Sequence, residues 1–136
     1  MSAIDSIGVT WGPRVLSVLR FVTGFLYFWH GAQKAFGFPM APNAAYQALD
    51  WMTLRGVSAG LELVGGALLM LGLFSRPVAF ILSGHMAFAY FIAHAPQGFW
   101  PIVNRGETAI LFCFIFLYIA AAGPGPWSVD AARRRA

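Results

Sequence analysis

Arg20, Tyr27, His30, Lys34, Glu62, His94 and Glu107 are the residues best able to do chemistry in this chain, and all stand inside or at the edges of long apolar runs. In hydrocarbon an ionisable group costs on the order of 2.5–3.5 kcal/mol on insertion scales, so each needs a partner or a task. Taking each run as a helix that rises about 1.5 Å per residue gives their depths. His30 and Lys34 fall in the outer half of the first run and Glu62 in the outer half of the second. His94 ends the third run and Glu107 begins the fourth. Four segments therefore send ionisable groups toward one layer, while Arg20 lies in the inner half and His85 near the middle. Burial penalises a charged carboxyl group and a neighbouring Lys or Arg restores it, so such a cluster can relay protons or polarise a ligand near neutrality. The bland alternative is that Glu62, Glu107, Arg20 and Lys34 pair off to hold helices together. Two His and two Glu also raise a metal site, but their scattered spacing is poor ground for one, and we expect none.

Helical angles of about 100° per residue sharpen the placement. Arg20, Gly24, Tyr27, Gly31 and Lys34 share one face, with His30 flanking it. Ser58, Glu62, Gly65, Gly66 and Leu69 share another, and Glu107, Leu111, Phe114 and Tyr118 a third. Phe28, Tyr27 and Phe114 are the aromatic rings expected to cover the apolar part of a pocket there. His85 and His94 are nine residues apart and point oppositely on an ideal helix, so both face inward only if the helix ends or bends before His94. His85 reads as a core residue hydrogen-bonded across helices, and Cys113 as a small lipid- or core-facing one.

The elements that position these groups follow from composition. Of 136 residues, 59% are hydrophobic and 10% charged, against about a quarter charged in soluble domains. So small a globule cannot hide that much apolar surface from water, which excludes disorder and a water-soluble catalytic domain. The net charge of +4 comes partly from Arg133, Arg134 and Arg135, and without a basic stripe elsewhere it does not indicate nucleic acid. The lone Cys113 excludes an internal disulfide or a dithiol motif.

Four runs are long enough for a bilayer crossing, which needs about 20 residues: about 14–36, 56–74, 77–95 and 106–123. Each must be helical, because a lipid-facing backbone has to satisfy its own hydrogen bonds. The expected fold is all-α, a single polytopic membrane domain over 1–136 built as an antiparallel bundle of four transmembrane helices. Pro13 is placed in the first turn of the first span, which reads as retained rather than as a cleaved signal. Spans two and three form a tight hairpin about Ser75 and Arg76. Between Gly37 and Arg55, the polar stripe Gln47, Asp50 and Thr53 predicts a short interfacial helix. Gly56 and Gly60 form a small-xxx-small pair for close helix packing within the monomer. Trp11, Trp51, Trp100 and Trp127 fall at span ends, where amphipathic rings settle. Arg14, Arg76 and Arg133 to Arg135 on one side, against Lys34, Arg55 and Arg105 on the other, put both termini in the cytoplasm.

The run RFVTGFLYFWHGAQKAFGF, then Glu62 before a Gly pair, LGLFSRP, His94, NRGE and the terminal GPGPWSVD together resemble the DoxX family of small four-helix bacterial membrane proteins, over nearly the whole chain. Carried over by position, the family's characteristic residues are Arg20, Gly24, His30, Gly31, Lys34, Glu62, Arg76, His94, Glu107, Ser128 and Asp130. The resemblance implies a multi-pass protein of the bacterial inner (plasma) membrane. Name-giving relatives resemble the membrane subunit of a thiosulfate:quinone oxidoreductase, which implies a subunit of a membrane redox system with a quinone or other small molecule as ligand, a membrane or periplasmic redox partner, and no covalently bound cofactor. No flavin, haem or iron–sulfur ligand set is visible in the sequence, and no catalytic residue is assigned. The rival expectation is non-enzymatic: transport of a small solute or protons, or a scaffold in which the buried charges only lock the bundle. The spans lack the internal symmetry of transporters, which favours the lock over transport.

Overall fold

The computed structural model describes residues 2–135, which are helical wherever they are regular, with no strand among them. Helix α1 spans Ala3–Phe36, beginning about ten residues before the sequence reading placed it. Ser2 is the reason. Its side chain accepts from the Asp5 N–H at 3.2 Å while the Asp5 carboxylate accepts from the Ser2 N–H at 2.9 Å, a reciprocal cap that satisfies two otherwise orphaned donors. Pro13 thus lies inside the helix, where it withholds one backbone donor, rather than in its first turn. The helix stops at Gly37, whose left-handed φ of 66° suits glycine.

The predicted interfacial helix is not formed: residues 37–53 carry turns and irregular backbone. Local hydrogen bonds offer the backbone an alternative there. The Asp50 carboxylate accepts from the Met52 N–H at 2.9 Å, and the Thr53 hydroxyl donates to the Asp50 carbonyl at 2.7 Å. Thr53 then caps α2, Leu54–Leu71, by accepting from the Gly56 N–H at 3.2 Å. Two of the three residues of the predicted polar stripe, Asp50 and Thr53, are thus consumed in a turn and a helix cap. Upstream, Tyr46 folds back to donate to the Ala35 carbonyl at 2.8 Å.

Helix α2 ends at Gly72, also left-handed, and a short turn through Phe74 opens α3, Ser75–Ala89, the tight hairpin the sequence predicts. Helix α3 continues into a single π turn, Tyr90–His94, and a 3-10 turn, Ala95–Gln97. One turn of helix, α4 (Pro101–Asn104), leads to α5, Glu107–Ala122, and α6, Val129–Arg133, closes the chain. The long α1 packs along α2 and α3 along α5, with α2–α3 and lighter α1–α5 contacts joining the pairs. Tyr27, Leu69, Leu82, Phe112, Phe116 and Ile119 form the core between them.

Three helical stretches are long and apolar enough to cross a membrane: Asp5–Phe36, Leu54–Leu71 and Ser75–Gln97. At 16 residues α5 is apolar but shorter. Its buried face is Ala109, Phe112, Phe116 and Ile119, not the face carrying Glu107, Leu111, Phe114 and Tyr118, whose three apolar members are exposed. A helix apolar on every side carries no amphipathic signal to orient it, and the ionisable end residue proved a false guide.

Candidate functional site

The close approach of α1 to α2 sets the site's width. A Cβ at Gly24 would lie 2.9 Å from the Gly66 carbonyl, and one at Gly66 would lie 2.9 Å from the Gly24 carbonyl. One at Gly31 would lie 2.8 Å from the Leu63 amide and 2.9 Å from the Ala59 carbonyl. Only hydrogen side chains let two backbones meet this closely. The expected Gly56–Gly60 pair does not do this work: nothing lies within 4 Å of a Cβ at Gly60, and Gly56 backs onto the loop at Asp50 and Trp51.

One turn beyond Gly31, Lys34 reaches across to α2. Its Nζ lies 2.7 Å from Glu62 Oε1 and donates to Ser58 Oγ at 2.9 Å. Ser58 Oγ is 3.4 Å from Glu62 Oε1 and 3.1 Å from His85 Nε2, and His85 Nδ1 bonds to the Tyr27 hydroxyl. One assignment of protons satisfies the whole chain. Tyr27 donates to His85 Nδ1, His85 Nε2–H to Ser58, and Ser58 to Glu62 Oε1, with Lys34 donating to Ser58 Oγ and Glu62 Oε1. Every donor then leads to the Glu62 carboxylate. Its other oxygen, Oε2, is buried without a hydrogen-bond partner, and the residue as a whole is 4% exposed.

These residues line a cavity of about 810 Å³ between α1, α2, α3 and α5. Tyr27, His30, Lys34, Ser58, Glu62, His85 and His94 all face it, joined by Arg105 and Thr108 from the α4–α5 segment, while Leu61, Met86, Phe88, Ile92 and Phe112 supply apolar walls. The π turn brings His85 and His94 to one cavity, because its wider coil rotates the helix face by a fraction of a turn. His94 Nδ1 sits 2.9 Å from the Asn104 carbonyl. A carbonyl only accepts, so Nδ1 carries the proton and Nε2 is left as an acceptor in the neutral ring. Asn104, fully buried, holds the turn that presents Arg105: its amide donates to the Gly98 carbonyl at 2.8 Å and accepts from the Gly106 N–H at 2.8 Å. No group of three or more His, Cys, Asp or Glu among the described residues is arranged to hold a metal ion.

Two expected site residues lie elsewhere. Glu107 is exposed at the start of α5 and does not line the cavity, since the α5 face that turns inward is the opposite one. Arg20 is buried at the other end of the bundle. Its guanidinium donates to the carbonyls of Leu69, Met70 (2.9 Å), Pro124 (2.9 Å) and Trp127 (2.6 Å), tying the end of α2 to the C-terminal tail. The same tail carries Asp130, whose carboxylate accepts from the Phe74 and Ser75 N–H groups at 2.9 and 2.8 Å and so caps α3. Arg76 in turn donates to the last carbonyls of α5, Ala120 (2.9 Å), Ala121 and Ala122 (3.3 Å). The charges sit where helix dipoles favour them, anion at an N-terminus and cations at C-termini. This clasp accounts for LGLFSRP and GPGPWSVD as structure.

His85 is hydrogen-bonded across helices as the sequence predicts, to Tyr27 of α1 and Ser58 of α2, and it also lines the cavity; sequence reasoning passed over Ser58 and Arg105 as participants. Ser58 was legible, since it shares the Glu62 face. Arg105 was not, because its direction depends on a left-handed φ of 60° after α4, which no local pattern announces.

The chain matches known proteins over most of its length. The DoxX family model matches residues 15–95. An uncharacterized protein of Haemophilus influenzae is 43% identical over 122 residues, covering 87% of this chain and 90% of its own. An uncharacterized membrane protein of Mycobacterium tuberculosis is 26% identical over 136 residues, covering 88% of this chain and 81% of its own. No solved structure matches it. With Lys34, Glu62, His85 and His94 gathered in one cavity and the matched segment running through α1, α2 and α3, the chain belongs to the DoxX family of membrane proteins.

Proposed function

We propose that this protein is a multi-pass component of a membrane redox system in the bacterial plasma membrane, and that its cavity binds a quinone or a similar small ring-bearing ligand. In this reading α5 is the fourth span, running beside α3 at about 1.5 Å per residue for roughly 24 Å, and both termini lie in the cytoplasm, with the cavity toward the outer face. The cavity's volume falls within the range of about 300–1,000 Å³ usual for small-molecule sites, as does its apolar lining with a few convergent polar groups.

The observation that carries the reading is the unpartnered Glu62 Oε2. A buried acceptor left without a donor costs about 1–3 kcal/mol, and a ligand hydroxyl would supply that donor. Lys34 uses two of its three N–H bonds on Ser58 and Glu62, leaving the third for a ligand carbonyl. Donor and acceptor side by side suit a ring oxygen that is a carbonyl in one redox state and a hydroxyl in the other. A quinone supplies that interconversion; this chain binds it, orients it and moves a proton at Glu62, while a partner protein carries the electrons onward.

Titrating protein in nanodiscs with ubiquinone and menaquinone tests this. Wild type should bind one of them at least tenfold more tightly than Glu62→Ala, with Glu62→Gln intermediate. Equal affinity in all three sinks the quinone reading. The Lys34–Glu62 bridge between α1 and α2 favours a second reading, in which the charges only lock the bundle. That reading expects Glu62→Gln to lose stability with no ligand signal in any variant.

A further inference from the structure

At the end of the bundle opposite the cavity, two adjoining recesses of about 530 and 420 Å³ share Arg76, Pro124 and Arg134. Arg133 joins the smaller, and Gly12, Pro13, Leu16 and Tyr118 wall the larger along the seam of α1 and α5. We propose that these recesses bind the phosphate headgroup of an anionic membrane lipid, with an acyl chain lying over Leu16 and Tyr118. The site is independent of the ligand cavity.

Charge and its disposition argue for it. Three arginines face the recesses against one carboxylate, Asp130, and both Asp130 oxygens are engaged by the Phe74 and Ser75 N–H groups. Arg76 spends its guanidinium on the α5 carbonyls, but Arg134 uses only Nε, toward the Asp130 carbonyl at 3.3 Å. Its two terminal nitrogens form the planar fork that suits a phosphate. Arg133 stands 5.7 Å over the Phe74 ring, which holds a second guanidinium beside the first. Apolar wall and cationic rim meet where helices end, the depth at which a bilayer presents its headgroups. A water-soluble phosphate would match the rim alone; the wall of Leu16 and Tyr118 asks for a lipid.

Detergent-purified protein equilibrated with equal amounts of phosphatidylglycerol and phosphatidylcholine, then examined by native mass spectrometry, tests the proposal. Wild type should retain phosphatidylglycerol in preference. Arg134→Gln should lower that retention about fivefold, and adding Arg133→Gln should lower it about fivefold again, as expected for one interfacial basic residue each. Arg14→Gln, at the same end but stacked 5.1 Å over Trp11 and outside both recesses, should retain lipid as wild type does. Thermal melts establish that the variants fold; Arg76 is left intact because it caps α5. Equal retention of the two lipids, an equal loss in Arg14→Gln, or displacement by excess inorganic phosphate would each overturn it.

Discussion

Replacing Gly31 with alanine tests the premise that helix proximity builds the site. The new Cβ would stand 2.8 Å from the Leu63 amide, 2.9 Å from the Ala59 carbonyl and 2.9 Å from Glu62 Cβ. Ordinary van der Waals contact begins near 3.4 Å, so α1 must withdraw from α2 by roughly 0.5–0.6 Å, since a packed interior has no slack to absorb it. Two of the three obstacles are backbone and cannot rotate away. Overpacking of this kind costs about 1–3 kcal/mol, and the upper end applies here. Alanine returns about 1 kcal/mol through helix propensity, for a net loss near 2 kcal/mol. Gly60→Ala on α2 meets nothing within 4 Å and should gain about 1 kcal/mol by the same propensity. The two variants should therefore unfold about 3 kcal/mol apart, read by tryptophan fluorescence as sodium dodecyl sulfate is titrated into mild-detergent micelles. The withdrawal also stretches the 2.7 Å Lys34–Glu62 bridge, so Gly31→Ala should bind ligand more weakly while Gly60→Ala does not. If Gly31→Ala is as stable as Gly60→Ala, the account of the α1–α2 seam is wrong.

Arg20→Gln should destabilise the protein by about 3 kcal/mol or more, because four carbonyls lose a charged donor at about 1.5–3 kcal/mol per strong bond, while the folded fraction keeps its ligand affinity; a matched loss of affinity would return Arg20 to the site. Tyr27→Phe removes the donor to His85 and should cost about 1–3 kcal/mol in the same unfolding titration, a cost that vanishes if His85 is already changed to Phe. Burial raises the Asp130 pKa, but the Ser75 and Phe74 N–H groups and the nearby Arg134 outweigh it and hold the carboxyl below its ordinary 3.8. A depressed folded-state value stabilises above the unfolded one and is lost as pH falls through it. The unfolding midpoint should therefore be steady above about pH 4 and drop below it, and Asp130→Asn should flatten that drop. An unchanged acid limb would refute the cap.

The sequence disclosed what depends on solvent and on single-helix geometry. Composition identified the membrane, apolar runs located the helices, and 100° steps put Gly24, Gly31 and Lys34 on one face of α1 and Glu62 and Gly66 on one face of α2, the faces that meet in the structure. Those helices are marked by small and polar residues on one side only, so their inward faces are readable. Helix α5 offers no such contrast, and its direction was misjudged together with Glu107. The start of α1 was obscured because a cap at Ser2 overrode a proline that ordinarily marks a first turn. The segment 37–53 failed for a different reason: Asp50 and Thr53 match a helical stripe and a turn-plus-cap equally well, and their local bonds decide for the turn. Arg20 illustrates a limit of depth reasoning, since a buried cation satisfies its cost as fully with four backbone carbonyls as with a carboxylate.

That substitution of backbone for side-chain partners explains how the characteristic residues divide. Arg20, Arg76, Ser128 and Asp130 all act at one end, and each of them meets a helix terminus rather than another of the four. Backbone termini cannot move without unfolding the helices, so this end is rigid by construction, with the Arg20 and Arg76 guanidinium groups held by carbonyls. At the other end the charges meet side chains: Lys34 holds Glu62 and Ser58, His85 holds Ser58 and Tyr27, and one oxygen of Glu62 holds nothing in the protein. Side-chain partners can rotate away when a ligand competes, which backbone partners cannot. A bundle that needed its charges only for stability gains nothing from building one end so much looser than the other. The asymmetry follows naturally if one end anchors the helices and the opposite end exchanges its internal hydrogen bonds for those of a guest.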